Sequence, residues 1–279
     1  MKFLALLVGL VEFASATSAF AVVNGEPFTG NSRLAALKSV LGIKIRISPC
    51  SGTYLGTIEG QAKILTAAHC FLLDGYPDEK TKICLTDGSG AELGCLAPAE
   101  YSVSFPAKEK DGPKAPVRGG FPGMGKVIRI PIPDMAMITV KGSEEIQKKF
   151  ADLTPVTLMT SGGVSETGES WIAGQGCNNF VTYEGREVMR IGRVELEPIK
   201  DPLLRFITWT PKSLSSAACA GDSGGALFQW GSQGELQQFG VISYSIQKSD
   251  ANGLASVRNA LGRIDGASAS SWLKGVLVR

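Results

Sequence analysis

In the C-terminal third of the chain stands the segment Cys219-Ala220-Gly221-Asp222-Ser223-Gly224-Gly225. Glycines on both sides of Ser223 let the backbone approach a bound molecule closely, and they allow backbone N–H groups to face outward. Turns of the same composition are also common in proteins of every function. The segment therefore predicts either a nucleophilic serine or an ordinary tight turn.

A second segment far upstream, Leu65-Thr66-Ala67-Ala68-His69-Cys70, holds the only histidine of the chain. If a histidine activates a serine in this protein, that histidine is His69. A lone histidine is also often a hydrogen-bonded core residue, so this segment by itself leaves both interpretations open.

The composition is typical of a turn-rich globular protein. The 279 residues are 44% hydrophobic and 19% charged, which supplies the core of one large domain or two ordinary ones. The 34 glycines and 14 prolines follow no repeating period and favour many turns between short strands. A net charge of +2 gives no electrostatic basis for binding nucleic acid. With one histidine and no Cys-x-x-Cys pair, we expect no metal site and no cofactor.

Short apolar runs separated by turn residues dominate the chain after residue 21. The run Ile43–Ile47 alternates isoleucine with basic residues, which is the period of a half-buried strand. Helical spacing is confined to Ala267–Val278 and to Glu144–Phe150, a polar turn or short helix. Residues 104–126, rich in proline, glycine and basic side chains, predict a long solvated loop. The pattern predicts an all-β fold of two barrels with a C-terminal helix.

The N-terminus has the pattern of a secretory signal peptide. Lys2 precedes the apolar run Phe3–Val11, which is too short to span a bilayer, and Ala19-Phe20-Ala21 follows as a cleavage site. Ala14-Ser15-Ala16 is a second candidate site. We expect residues 1–21 to be removed, leaving a secreted or periplasmic protein with no membrane attachment and with disulfide-bonded cysteines.

The two segments match the Thr-Ala-Ala-His-Cys and Gly-Asp-Ser-Gly-Gly motifs of the trypsin/chymotrypsin-like serine endopeptidases, in the same order. The chain resembles this family over nearly all of its length after residue 21. Val22-Val23-Asn24-Gly25 resembles the mature N-terminus, with Asn24 where glycine is usual. Asp134–Ile138 resembles the segment that carries the triad aspartate, and Trp171–Gly176 is a weaker counterpart of a Gly-Trp-Gly turn, with Gln175 in place of tryptophan.

The resemblance implies a chymotrypsin-like fold of two six-stranded antiparallel β-barrels. The N-terminal barrel would cover about residues 22–145, the C-terminal barrel about 146–265, and a C-terminal helix about 267–278. The implied activity is hydrolysis of protein or peptide substrates by a monomer through an acyl-enzyme.

The same resemblance implies the roles of the site residues. Ser223 would be the nucleophile, His69 its base, and Asp134 the residue that orients the imidazole. The N–H groups of Gly221 and Ser223 would form the oxyanion hole. A free amino group on Val22 would pair with the buried carboxylate of Asp222. Because Ala21 stands where the family has Lys or Arg, cleavage by signal peptidase would expose Val22 directly; cleavage after Ala16 would leave a short pro-segment.

The resemblance also places the substrate pocket. Ala217, six residues before Ser223, would form its floor together with Ala218. Ser243-Tyr244-Ser245 resembles the substrate-binding strand, and Gly253 would form the other wall. Because no carboxylate stands at the floor, a basic substrate side chain would lose its hydration without gaining a partner. We expect apolar residues at P1, the residue whose carbonyl is attacked.

Three disulfides are expected from the six cysteines. Cys50–Cys70 matches the family's bridge beside the histidine, and Cys84 and Cys95 are close enough in sequence for a hairpin bridge. Cys177–Cys219 then remains, although the family joins the counterpart of Cys219 to a cysteine farther downstream. Six cysteines allow 15 pairings, so the connectivity of the last four stays a prediction.

Two other functions are compatible with the sequence. One is a catalytically silent protein of the same fold that binds a partner, which the presence of all three triad residues disfavours. The other is an esterase that uses the same triad, and small esters against protein substrates would distinguish it from a protease.

Overall fold

The computed structural model describes residues 22–28, 37–45, 48–72, 81–106, 115–118, 127–130, 133–159, 164–165, 167–186, 188–198, 204–251 and 253–277. The predicted signal peptide lies outside these residues. The strands are β1 Glu26–Pro27, β2 Val40–Ile45, β3 Ser48–Ile58, β4 Gln61–Thr66, β5 Ile83–Thr86, β6 Glu92–Leu96, β7 Tyr101–Ser104, β8 Ala115–Arg118, β9 Val127–Ile130, β10 Ala136–Val140, β11 Thr157–Leu158, β12 Ser170–Gly174, β13 Arg190–Val194, β14 Leu204–Trp209, β15 Ala226–Trp230, β16 Leu236–Asp250 and β17 Gly253–Arg263. The α-helices are α1 His69–Leu72, α2 Glu144–Ala151 and α3 Ala267–Leu277.

The first half of the chain folds into a curled, antiparallel seven-stranded sheet in the order β6-β5-β2-β3-β4-β10-β7. Its central strands alternate as the sequence predicts: in β2, Ile43 and Ile45 are buried and Lys44 is exposed. The pairing of β4 with β10 matters most for the site, because it brings the end of one strand beside the start of the other. The segments that follow β4 and precede β10 therefore meet at one edge of this sheet.

The second half folds into an eight-stranded sheet in the order β1-β13-β12-β15-β16-β17-β14, with β11 pairing with β16 in parallel. The predicted fold class is confirmed, although the sheets have seven and eight strands where six each were expected. The short strand β1, residues 26–27, pairs with β13 in the second sheet. The N-terminal segment therefore crosses to the half of the molecule that carries Ser223.

The helices fulfil the predictions made from their spacing. Ser143 caps α2 by accepting a hydrogen bond from the Ile146 N–H, and Phe150 is buried against Tyr54. In α3, Ala269 and Leu273 are buried in the hydrophobic core of the first sheet, although α3 follows the second sheet in the chain. The C-terminal helix therefore holds the two halves together.

The predicted long loop over residues 104–126 is partly wrong. Residues 115–118 form β8, which pairs antiparallel with β9 as a separate two-stranded hairpin. Residues 107–114 and 119–126 lie outside the described residues. Within the described part of the chain, no helix has the length and apolar character needed to cross a membrane.

Candidate functional site

His69 and Asp134 meet because β4 and β10 are paired. Ala136 lies opposite Thr66 in the sheet, so Asp134 just before β10 lies beside His69 just after β4. His69 Nδ1 is 2.7 Å from Asp134 Oδ2, and the backbone N–H of His69 donates to Asp134 Oδ1 at 2.9 Å. Two hydrogen bonds to one residue fix the imidazole relative to the carboxylate. Because Nδ1 faces an acceptor, the tautomer leaves the acceptor lone pair on Nε2.

Ser243 adds a third hydrogen bond to this carboxylate from the second sheet. Its hydroxyl, on β16, donates to Asp134 Oδ2 at 2.5 Å, and both residues are buried. The Asp134 carboxylate thus receives donors from both halves of the molecule.

The loop that carries Ser223 is held against the first sheet by Ser51 of β3. The Ser51 N–H donates to the Ser223 carbonyl at 2.7 Å, and its hydroxyl donates to the Gly221 carbonyl at 2.9 Å. Gly224 fits so closely that an added Cβ would overlap Thr66 Oγ1. Cys70 Sγ, next to His69 in sequence, lies 3.7 Å from the Ser223 carbonyl oxygen.

Ser223 itself is partly exposed beside the His69 segment. In the part of the chain that the structure describes, no hydrogen bond joins the Ser223 hydroxyl to the His69 ring. Contacts of this kind are often long without substrate and shorten only when it binds. The structure therefore brings the serine segment to the histidine segment without forming their direct bond.

Gly221 and Ser223 each present a backbone N–H that donates no hydrogen bond within the described residues. By contrast, the N–H groups of Asp222 and Gly225 donate within the loop, and that of Gly224 donates to Ile242 of β16. Gly221 has φ +102°, and an added Cβ would lie 2.9 Å from Gly176 Cα, so only glycine fits there. Two such donors in a loop that carries a serine can bind an oxygen anion.

Asp222 is fully buried beneath this loop. Its Oδ1 accepts from the Gly176 N–H at 2.7 Å, and its Oδ2 accepts from the Cys219 N–H at 2.8 Å. Burial raises the pKa of Asp222 to about 7, because desolvation outweighs the two backbone donors and the nearby positive charge of Arg190. The carboxylate is therefore only partly compensated in the uncleaved chain.

Arg190 carries the positive charge that acts on Asp222 and lowers its pKa. It begins β13 opposite Gly174 of β12, and an added Cβ on Gly174 would overlap Asp222 Oδ1. Cross-strand partners direct their side chains to the same face of a sheet, so Arg190 extends on the Asp222 side. Its guanidinium is buried and donates to the Gly185 carbonyl at 3.2 Å.

The N-terminal segment lies beside the same loop. Val22 is fully buried in a cluster that includes Ala218, and Val23 forms two backbone hydrogen bonds with Ala217. In the uncleaved chain the Val22 nitrogen is an uncharged amide, so it forms no ion pair. Asn24 adopts φ +62°, a conformation that asparagine tolerates, and its side chain bonds the carbonyls of residues 213 and 215. This explains why asparagine can replace glycine at this position.

The predicted pocket residues are only partly together. Ala217 and Ala218 are buried, Ser243 is buried on β16, and Tyr244 and Ser245 are half-buried and exposed. Gly253 does not form the opposite wall: it lies across from Asp250 at the far end of the β16–β17 ribbon.

Asn259 is the residue opposite Ser245. The β16–β17 pairing shifts register twice, between Ile242 and Tyr244 and between Lys248 and Ser249. Strand pairing thus places Asn259, and not Gly253, across from Ser245.

Three disulfides join the cysteines: Cys50–Cys70, Cys84–Cys95 and Cys177–Cys219. These are the pairs expected from the sequence. Cys177–Cys219 links the segment after β12 to the loop before Ser223, where the Cys177 N–H also donates to the Ala220 carbonyl at 2.9 Å. Disulfides indicate an oxidising compartment. Among the described residues, no group of three or more His, Cys, Asp or Glu could hold a metal ion.

Sequence reasoning missed Ser51, Arg190 and Asn259 as members of the site. Gln175 was noted only as a replacement for tryptophan, but its backbone N–H donates to Ser51 Oγ and its side chain bonds Thr86 and Asp87 across the two sheets. The one feature of the sequence that could have pointed to Ser51 as a site residue was its position next to Cys50. For Arg190 and Asn259 the sequence held no such feature, because their positions in the site depend on how the strands pair.

Two curled, mainly antiparallel sheets and a C-terminal helix, with the site at their junction, define a chymotrypsin-like fold. A solved structure with this fold is a mutant of human heparin binding protein. It matches with a TM-score of 0.59 over 92% of this chain and 97% of that chain, at 17% sequence identity. At this identity the similarity shows the fold alone. No family model and no curated protein matches the sequence.

Proposed function

We propose that this protein is a secreted serine endopeptidase that cleaves peptide bonds through an acyl-enzyme. The observation that carries the proposal is the Asp134–His69 hydrogen bond of 2.7 Å, formed beside the Ser223 loop, in which the N–H groups of Gly221 and Ser223 donate no hydrogen bond within the described residues. The residues proposed as base, orienting carboxylate and nucleophile thus lie at one junction, together with two N–H groups that are proposed to bind an anion. A protein that only binds a partner needs no such combination.

In the proposed reaction, His69 Nε2 takes the proton of the Ser223 hydroxyl as the oxygen attacks the substrate carbonyl carbon. The imidazolium that forms is stabilised by Asp134. His69 then returns the proton to the leaving amine as the C–N bond breaks, which leaves an ester on Ser223. Water, deprotonated by His69, attacks this ester, and His69 returns that proton to the Ser223 oxygen as the ester C–O bond breaks and the acid is released. This mechanism is general to Ser-His-Asp sites, and we assign its roles here to Ser223, His69 and Asp134.

The negative oxygen of the tetrahedral intermediates would accept hydrogen bonds from Gly221 N–H and Ser223 N–H. A single donor of this kind lowers the barrier by roughly 3 kcal/mol. Their direction depends on the loop conformation, which Asp222 holds through Cys219 and Gly176. Anything that stabilises the ionised Asp222 carboxylate therefore supports the oxyanion hole.

Cleavage between Ala21 and Val22 would supply that stabilisation. It creates an ammonium group on Val22, which already lies buried in the cluster that includes Ala218. The next residue, Val23, is hydrogen-bonded to Ala217, which stands five residues before Asp222. A buried ion pair with Asp222 would offset the desolvation that raises its pKa. Removal of the signal peptide during export would then also activate the enzyme, and no separate pro-segment would be needed.

The decisive test is labelling with a small fluorophosphonate, which reacts with activated serines and carries no P1 side chain. The secreted protein is incubated with the probe, the adduct is mapped by mass spectrometry, and the N-terminus is read in the same sample. We expect an adduct on Ser223 in chains that begin at Val22, and none in the Ser223→Ala variant.

Activity on casein or peptides and on small esters then separates the remaining functions. Peptide hydrolysis that disappears in Ser223→Ala supports the endopeptidase. Labelled protein that hydrolyses only esters would be an esterase. Chains that begin at Val22 and do not label contradict the enzyme and favour a silent binding protein. The net charge of +2 offers no electrostatic reason to extend heparin binding from the structural relative to this chain.

A further inference from the structure

The buried carboxylate of Asp222 has a charged neighbour before the chain is cleaved, and the inference drawn from it rests on the proposed function. Its two oxygens accept the backbone N–H groups of Gly176 and Cys219. Among the described residues, Arg190 is the one charged side chain that acts on this carboxylate, and its charge lowers the pKa of Asp222. The uncleaved chain therefore already holds a cation on the Asp222 side of the site.

One face of β13 brings Arg190 and the N-terminal segment to the same carboxylate. Arg190 and Gly192 are two residues apart in this strand, so they point to the same face. A Cβ added to Gly192 would lie 3.0 Å from Val22 Cγ1. A Cβ added to Gly174, the cross-strand partner of Arg190, would overlap Asp222 Oδ1. Arg190 thus approaches the carboxylate that the Val22 ammonium is proposed to reach.

Both charges are removed from water. Arg190 is 6% exposed and Asp222 is fully buried. In the described part of the chain no hydrogen bond joins the two side chains, and the guanidinium is held by its bond to the Gly185 carbonyl. Opposite charges attract more strongly through a protein interior than through water, because the effective dielectric constant is lower. The guanidinium therefore stabilises the ionised carboxylate without touching it.

The Arg190 charge does not depend on cleavage or on pH. Burial lowers the pKa of Arg190, but a guanidinium in a protein stays protonated throughout the range in which enzymes work. The amino group of Val22 exists only after cleavage, and such a group ordinarily titrates near about pH 8. Arg190 is thus a permanent but partial counter-charge, because the pKa of Asp222 is still about 7 beside it.

We propose that Arg190 is a positioning residue of the Ser223 loop, which supports the ionised form of Asp222 before Val22 has a free amino group and gives the uncleaved chain a low reactivity at Ser223. The ionised carboxylate can accept both backbone N–H groups that hold the loop in place. Cleavage before Val22 then raises an existing reactivity rather than creating it.

The test is the rate of fluorophosphonate labelling at Ser223, measured at pH 8 in two forms of the protein. One form retains residues 1–21, is produced without export and is refolded with its disulfides. The other is the secreted chain that begins at Val22. We expect the uncleaved wild type to label more slowly than the mature chain, but within about 1,000-fold of its rate.

Arg190→Gln removes the charge and leaves an amide that can still donate to the Gly185 carbonyl. We expect it to lower the uncleaved rate at least about tenfold and the mature rate less than about threefold, because in the mature chain the Val22 ammonium supplies charge to Asp222. Arg190→Lys keeps the charge and should recover most of the uncleaved rate. A purely structural role would lower both rates by the same factor.

Arg193→Gln is the matched control, with the same substitution in the same strand. Arg193 is three residues from Arg190, so it points to the opposite face of β13. It is exposed and pairs with Glu169 at the surface. We expect both labelling rates to stay within about twofold of the wild type, since this surface pair is far more weakly coupled to the site.

The outcomes separate this inference from the proposed function. A mature wild type that does not label overturns the proposed function, and the inference with it. A mature wild type that labels, beside an uncleaved chain more than about 1,000-fold slower, overturns the inference alone. Equal losses in the two forms of Arg190→Gln, or an equal loss in Arg193→Gln, also overturn it. If Arg190→Gln does not fold, the uncleaved wild type still decides.

The stability of the uncleaved chain gives a second measurement that needs no catalysis. In Ser223→Ala the free energy of unfolding should fall as the pH rises and level off above about 7, because the buried Asp222 then loses its proton. Without the Arg190 charge the pKa of Asp222 rises further, so in Arg190→Gln the fall should continue for about one more pH unit. Denaturant unfolding measures it, and an unchanged profile overturns the proposal.

Discussion

The Asp134 and Asp222 carboxylates are both buried at the junction of the two sheets, yet their surroundings differ. Asp134 receives the His69 ring, the His69 N–H and the Ser243 hydroxyl. Asp222 receives two backbone N–H groups, and burial raises its pKa to about 7. The first carboxylate has its partners as soon as the chain folds, whereas the second still lacks a full counter-charge.

The difference teaches that the proposed base and the proposed oxyanion hole of one site can be ordered by different events. The His69 side depends on the β4–β10 register, which folding alone supplies. The Ser223 side depends on the charge state of Asp222, which chain cleavage would change. The following predictions test this contrast, from the largest expected effect to the smallest.

Asp134→Asn should have the largest effect on activity. The amide can keep the same position but favours the wrong imidazole tautomer and cannot stabilise the imidazolium, so we expect kcat/KM to fall about 10⁴-fold. The measurement is peptide hydrolysis at saturating and limiting substrate. Because Asp134 is unrelated to the N-terminus, the loss should be the same in every sample that begins at Val22. A loss under tenfold would contradict the role assigned to Asp134.

The pH dependence of stability should separate the uncleaved chain from the mature one. The pKa of Asp222 is raised above the unfolded value, so its contribution is full below pH 4 and is lost as the pH rises through about 7. The shift corresponds to about 4 kcal/mol in the free energy of unfolding. Denaturant unfolding of Ser223→Ala chains with and without residues 1–21 measures it across pH 4–8.

In the mature chain the Val22 ammonium should stabilise the ionised carboxylate, so the loss of stability with rising pH should be much smaller. Asp222→Asn in the uncleaved chain is the control, since it removes the titrating group and should flatten the curve. Equal slopes in the cleaved and uncleaved proteins would show that Val22 does not reach Asp222. That outcome would contradict the proposed difference between Asp134, which has its partners after folding, and Asp222, which gains its full counter-charge only after cleavage.

Gly174→Ala should destabilise the Asp222 side selectively. The added Cβ would overlap Asp222 Oδ1, and relieving this overlap should cost about 1–3 kcal/mol. Thermal unfolding measures the loss, and fluorophosphonate labelling should slow because the oxyanion loop shifts. Gly275→Ala in α3 is the matched control, because an added Cβ there meets no atom within 4 Å and alanine favours helix. Equal stability in the two variants would contradict the close packing at Gly174.

Ser243→Ala should have the smallest effect, because it removes one of three donors to Asp134 while the His69 ring stays bound. We expect kcat/KM to fall about tenfold, equivalent to about 1.4 kcal/mol in the barrier. The rate of fluorophosphonate labelling should fall in parallel. An effect as large as that of Asp134→Asn would mean that the contact between the sheets, rather than the carboxylate, orients His69.

Much of the fold follows from local sequence patterns. Alternation in β2 and helical spacing in α3 depend on neighbours a few residues away, so both could be predicted. Strand β1 could not, because residues 26–27 have no signal that selects the second sheet over the first. Strand β8 was hidden in a segment rich in proline, glycine and basic residues.

The site residues differ in the same way: those in local motifs could be predicted from the sequence, and those placed by strand pairing could not. His69 and Ser223 stand in local motifs, and Asp134 opens an apolar run, so their proximity could be expected. Gly253 was assigned from the family resemblance, but it lies opposite Asp250 at the far end of the β16–β17 ribbon, which only the strand pairing shows. Asn259 could be identified only from the strand pairing. Arg190 likewise acts through its position opposite Gly174, a relation between distant segments.

Because of the hydrogen bonds of Ser51, the serine loop is held in place only when the two sheets have come together. A residue of the first sheet holds the carbonyls of Gly221 and Ser223, and the Gln175 N–H from the second sheet completes the contact. A folding intermediate in which only one sheet has formed therefore cannot align the serine loop with the histidine. The geometry that the proposed endopeptidase requires therefore forms only when both halves have docked, so a chain with one folded half would carry none of the proposed peptidase activity.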